Sequence, residues 1–71
     1  MAIDIKTEVA GTIWTIDSPP GTTVGEGDSI VTVESMKMEI PVETPQAGTV
    51  AEVLVAAGEA VEEGQIVARL G

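Results

Sequence analysis

Apolar residues recur along the chain in short runs that alternate with polar ones: Ile3 to Thr7, Thr12 to Ile16, Ile30 to Val33, Met38 to Val42, Thr49 to Val55 and Ile66 to Leu70. Valine, isoleucine and threonine dominate them, and a β-branched run with a period near two predicts a strand with one face turned to a core. Between the runs lie Ser18-Pro19-Pro20-Gly21, Gly25-Glu26-Gly27-Asp28, Pro45-Gln46-Ala47-Gly48, Ala57-Gly58 and Glu62-Glu63-Gly64-Gln65. These are turn sequences, in which proline presets φ or glycine lets it go positive. No segment offers a helical face longer than a turn or two, so the pattern predicts an all-β fold.

The pattern also repeats. Shifted by 37 residues, the chain falls on itself with identities at Ala10/Ala47, Gly11/Gly48, Thr12/Thr49, Gly21/Gly58, Val24/Val61 and Gly27/Gly64. Aliphatic residues match at Ile3/Ile40, Ile5/Val42, Ile13/Val50, Ile16/Val53, Ile30/Val67 and Val33/Leu70. Only Ser35, Met36 and Lys37 lack a counterpart. Two copies of one unit joined by a tripeptide predict a quasi-twofold fold whose halves meet at a tight hairpin, with Lys37 at its tip. Each half supplies about three to four strands, so the whole makes about six to eight, too many for one flat sheet at this size. A two-sheet sandwich or flattened barrel with interlocked halves is expected, because it buries one face of each strand and leaves few free edges.

Length limits the chain to one domain, residues 1–71. At that size folding buries only about 60% of the surface of the unfolded chain. Twelve acids against three bases give a net charge of −9. Such a surface is repelled by nucleic acid and by anionic lipid, and it steers the chain toward basic faces on partner proteins. No run approaches the length of a membrane span, and the acids Asp4, Glu8 and Asp17 near the start do not suit a signal peptide. The expectation is a cytoplasmic protein, monomeric as an isolated domain, with no nucleic-acid or membrane partner.

Catalysis by the chain's own side chains is not expected. It has no His, Cys or Tyr. Ser18, Ser29 and Ser35 therefore lack a base of the usual kind. Glu62 and Glu63 are adjacent on an extended chain and point to opposite faces, which suits a solvated turn and not a metal site. Trp14 is the sole aromatic residue and is expected to be a partly buried packing residue. Lys37 differs from an ordinary surface cation. It stands at the repeat junction between Met36 and Met38, two flexible apolar side chains on a turn where polar residues are expected. A lysine amine of ordinary basicity is protonated in all but about one molecule in a few thousand at pH 7. Such a group reacts only with a preactivated acyl donor on an enzyme that removes its proton, so Lys37 reads as an attachment point.

Glu34-Ser35-Met36-Lys37-Met38-Glu39 resembles the biotin attachment motif of biotin carboxyl carrier domains, in which the lysine between two methionines receives biotin through an amide. Gly21-Thr22-Thr23-Val24-Gly25-Glu26-Gly27-Asp28 is similar to that family's turn before the biotin hairpin, and Pro45-Gln46-Ala47-Gly48-Thr49-Val50 to its turn after it. The resemblance spans essentially the whole chain. It implies the biotinyl/lipoyl fold, a flattened barrel of two four-stranded antiparallel sheets related by a pseudo-twofold axis. It also implies covalent biotin on Lys37, with Met36 and Met38 as flanking recognition residues and Glu34, Ser35 and Glu39 as hairpin context. The implied partners are a biotin protein ligase acting through biotinyl-adenylate, a biotin carboxylase, and a carboxyltransferase. Many members have alanine where this chain has Ser35, and some have a protruding segment that is absent here. The chain is thereby most similar to small free-standing biotin/lipoyl attachment proteins, or to a carrier domain of a longer carboxylase. The alternatives are the same fold carrying lipoate for a 2-oxoacid dehydrogenase-type complex, where the lysine usually lies between an acid and a small residue, and a purely structural module of this fold.

Overall fold

The computed structural model describes residues 3–71, and among them are eight strands: β1 (Ile3–Lys6), β2 (Gly11–Ile16), β3 (Thr23–Val24), β4 (Ser29–Ser35), β5 (Met38–Glu43), β6 (Gly48–Val53), β7 (Ala60–Val61) and β8 (Ile66–Leu70). Six follow the alternating runs. The other two, β3 and β7, are two-residue strands at the ends of the proline- and glycine-rich connections, too short to show a period. The strands form two four-stranded antiparallel sheets, ordered β1-β8-β6-β3 and β5-β4-β2-β7. Each sheet draws two strands from each half of the chain, so neither half can bury its apolar face without the other.

The 37-residue repeat is carried by the backbone. Displaced by that interval, β2 falls on β6 and β3 on β7, and the connecting hydrogen bonds pair as well. The Thr7 N–H donates to the Gln65 carbonyl at 3.0 Å, and the Thr44 N–H to the Asp28 carbonyl at 2.9 Å. Likewise the Gly21 N–H donates to the Val50 carbonyl, and the Gly58 N–H to the Ile13 carbonyl. Each bond runs from one half to the other, so the symmetry is itself the interlock.

Core residues pair in the same way. Ile5 and Val42, Ile13 and Val50, Val24 and Val61, Ile30 and Val67, Val31 and Ala68, and Val33 and Leu70 are all buried in one cluster. The buried polar groups are satisfied locally. Thr7 and Thr44 each donate Oγ1 to the carbonyl two residues on, and Ser18, which stands where the second half has Val55, donates Oγ to the Ser29 carbonyl at 2.8 Å.

Trp14 departs from expectation. It is 54% exposed and lies outside the core cluster, so it is not a packing residue. The cause is a bulge: Ile13 pairs with Val33 and Thr15 with Thr32, leaving Trp14 as an extra residue in β2. Ile13 is buried and Ile16 packs against the core, while Trp14 is left outside. The second half repeats the irregularity at Ala51, between Val50 and Glu52.

Candidate functional site

The hairpin between β4 and β5 carries the tripeptide that the repeat leaves unmatched. Ser35 pairs with Met38, and Glu34 with Glu39 on the next rung, so the loop is two residues, Met36 and Lys37. A two-residue loop follows the twist of its strands when both central residues take positive φ, which is why Asn-Gly and Gly-Gly are favoured there. Here φ is +52° at Met36 and +66° at Lys37. Left-handed backbone costs a residue with a Cβ about 1 kcal/mol or more. Among the described residues the other positive-φ positions are all glycine: Gly21, Gly27, Gly58 and Gly64. The fold uses glycine wherever it needs this backbone except at the tip, where side chains are present at a cost in stability.

Those side chains point away from the body. Met36 is 92% exposed and Met38 63%, and Lys37, Glu34 and Glu39 are exposed as well, with Ser35 half-buried where the hairpin leaves the sheet. Lys37 makes no ion pair among the described residues, whereas Arg69 is held by Asp4 at 2.9 Å and Glu52 at 3.1 Å. The structure thus brings together all six predicted site residues on one hairpin, with the amine at its apex.

The hairpin's root is fixed by a residue that sequence reasoning did not place in the site. Gly11 in β2 faces the chain of β4 so closely that an added Cβ would overlap the Glu34 carbonyl oxygen and lie 2.8 Å from Val33 Cγ1. Only hydrogen fits between them. The signal was a glycine directly before an alternating run, a mark of close backbone approach. Elsewhere, a groove of about 200 Å³ lies between β1 and β5, lined by Lys6, Val9, Pro41 and Glu43 among others. It is smaller than the roughly 300–1,000 Å³ of small-molecule sites, and Lys37 lies outside it, at the hairpin tip.

A small sandwich with one amine held out on a rigid, two-stranded stalk is the architecture of an attachment domain. The family model described as "Biotin-requiring enzyme", of the biotin/lipoyl class, matches residues 1–70. The chain is 38% identical to the biotinylated protein TB7.3 homolog of Mycobacterium leprae over 96% of both chains. It is 33% identical to the biotin/lipoyl attachment protein of Bacillus subtilis, over 93% of this chain and 90% of that one. Among solved structures, the urea carboxylase of Kluyveromyces lactis contains a region that matches all of this chain with a TM-score of 0.95 and 31% identity, covering 6% of that enzyme. The chain belongs to the biotin/lipoyl attachment family, as a carrier of biotin and not as a catalyst.

Proposed function

We propose that Lys37 is the residue that receives biotin, and that the hairpin presents it in turn to a biotin protein ligase, a biotin carboxylase and a carboxyltransferase. The observation that carries this reading is the tip itself: methionine and lysine in left-handed backbone that the chain elsewhere gives to glycine. In the acylation the Lys37 Nζ, once deprotonated by the ligase, attacks the acyl carbon of an acyl-adenylate; the amide forms as the bond to AMP breaks. The positively charged ammonium cannot do this, so the ligase must supply the base. Met36 and Met38 provide apolar contact on either side of the amine, and Ser35 paired with Met38 closes the loop that aims it. Glu34 and Glu39 form the first rung below. The reading extends to a carrier that works in the cytoplasm beside its ATP-consuming partners and acts as a monomer, its one hairpin free to reach each of them in turn.

The test is transfer of labelled biotin by ligase and ATP, read by intact mass. The wild-type chain gains one biotinyl group. Lys37→Arg retains charge and fold but gains none, because guanidinium is a poor nucleophile that stays protonated. Lys6, at the end of β1 beside the base of β5 and without methionine neighbours or a place on the hairpin tip, does not substitute. Label on the Lys37→Arg protein, or a lipoyl mass on the wild type purified from its native host, overturns the reading.

A further inference from the structure

The pseudo-twofold axis supplies an internal control, because the outward faces of the two sheets have the same backbone and can be compared rung by rung. On the face of β1-β8-β6-β3, Asp4, Arg69 and Glu52 lie side by side on neighbouring strands. Arg69 donates to both acids, and those bonds, Asp4's first, raise its pKa further and keep it charged. The bulge of that sheet carries only Ala51. That face is better satisfied: its two acids share the Arg69 guanidinium, and nothing large and apolar is exposed at its bulge.

The equivalent positions on β5-β4-β2-β7 are Pro41, Thr32 and Thr15, and the bulge carries Trp14. Two rungs nearer the tip, Glu34 lies directly opposite Glu39. Neither has an ion-pair partner among the described residues. Like charges facing each other across a ladder are destabilising, and an indole left in water forfeits the burial that would otherwise stabilise the fold. Both features lie on the face whose strands β4 and β5 run into the Lys37 hairpin; beside the other sheet the exposed large apolar residue is Leu54, just past β6 at the end away from any hairpin tip, and less exposed than Trp14.

We propose that the outward face of β5-β4-β2-β7 is the docking surface for the enzyme that acylates Lys37, with Trp14 as its apolar anchor and Glu34 and Glu39 as its charged rim. This rests on Lys37 being the acceptor. Trp14 lies three to four residues below the tip, about 10–14 Å along the strands. An ordinary protein interface covers about 800 Å² a side, a disc about 16 Å in radius, so a partner seated over the amine reaches the indole. The acylating enzyme is the partner that must do so. It works on Nζ itself and has to enclose the hairpin, whereas enzymes working on the far end of an attached group can stand off from the protein. Tryptophan is the residue type most enriched among the few that dominate interface energies, and acids around it call for cations on the other side. The partner therefore presents an apolar pocket ringed by lysine or arginine.

The test uses the full unmodified chain with its host's own biotin protein ligase, biotin and ATP. Trp14→Thr, a strand-compatible change, is expected to raise the KM for the carrier at least about tenfold and leave kcat within about twofold. Glu52→Gln, on the opposite sheet, changes neither. Glu34→Gln with Glu39→Gln flattens the decline of kcat/KM with rising salt. Independently of turnover, the wild-type chain made with 5-fluorotryptophan carries a single fluorine label at Trp14, whose 19F resonance shifts or broadens when ligase is added. An unmoved resonance, or a Trp14→Thr protein labelled with unchanged KM, overturns the docking surface while leaving Lys37 as acceptor. Failure of the wild-type chain to accept biotin removes the acceptor assignment instead. A 19F shift that appears with increasing carrier concentration and no ligase assigns the face to a second copy of this chain and also overturns the proposal.

Discussion

The tip of the β4–β5 hairpin and the glycine turns of the same molecule solve one backbone problem in opposite ways. At Gly27 and Gly64, φ is +88° and +85°, and nothing lies within 4 Å of where a Cβ would stand; these turns have room for a side chain and still carry none. Glycine is there for conformation alone. At Met36 and Lys37 the backbone is equally left-handed, yet two long side chains are kept. The turns are optimised for stability and the tip is not. In a domain whose single core supplies only about 3–5 kcal/mol of stability, a penalty of about 1 kcal/mol or more at each tip residue is a considerable fraction of the whole. Strain of that size kept at one place marks the residues whose side chains are used.

That contrast can be broken deliberately. The largest stability effect is expected at the hairpin's root, because Gly11 differs from the turn glycines in having no room. Gly11→Ala drives a Cβ into the Glu34 carbonyl and should cost about 2–3 kcal/mol, seen as a lower denaturation midpoint at unchanged m-value. Converting the tip to the sequence that its backbone prefers, Met36→Asn with Lys37→Gly, should do the reverse. Stability rises by about 1–2 kcal/mol and Tm by roughly 4–8 °C per kcal/mol, while biotin acceptance is lost completely. A tip that becomes less stable on this change would mean that the left-handed residues carry no strain. Gly27→Ala, and Gly64→Ala at the equivalent position, should each cost about 1 kcal/mol, and by equal amounts if the halves are energetically equivalent. The smallest stability effect is expected for Met36→Asp with Met38→Ala, within about 0.5 kcal/mol because both side chains are exposed. The same protein should lose acceptance by biotin ligase and gain it by lipoate ligase, which a mass measurement after incubation with each enzyme would show.

Much of this was legible in the residues. The alternating runs gave six strands, and the spacing of Ala10-Gly11-Thr12 against Ala47-Gly48-Thr49 gave the repeat, hence two interlocked halves and a hairpin at the unmatched tripeptide. Two strands, β3 and β7, could not be read because two residues have no period. Trp14 was misjudged on chemical type. A lone aromatic residue between Ile13 and Ile16 reads as a partly buried packing residue, but the bulge resets the phase, so that Ile13 and Ile16 face inward and Trp14 and Thr15 do not. The signal was present in duplicate, since Val50 and Val53 show the same three-residue spacing around Ala51 and Glu52.

By itself the sequence determined the all-β class, the twofold repeat, the acidic surface and the identity of the one lysine set between methionines at the junction. Those depend on local periodicity and on residue type, which a linear chain displays. Tertiary structure alone decided that Met36 and Lys37 adopt left-handed backbone and that Trp14 faces water on the sheet that leads to them. Neither methionine nor lysine prefers positive φ. They take it because burial of Val31, Val33 and Val42 fixes the register of β4 on β5, and that register leaves two residues to turn the chain. Core packing of one end of the hairpin thus dictates the backbone at the other.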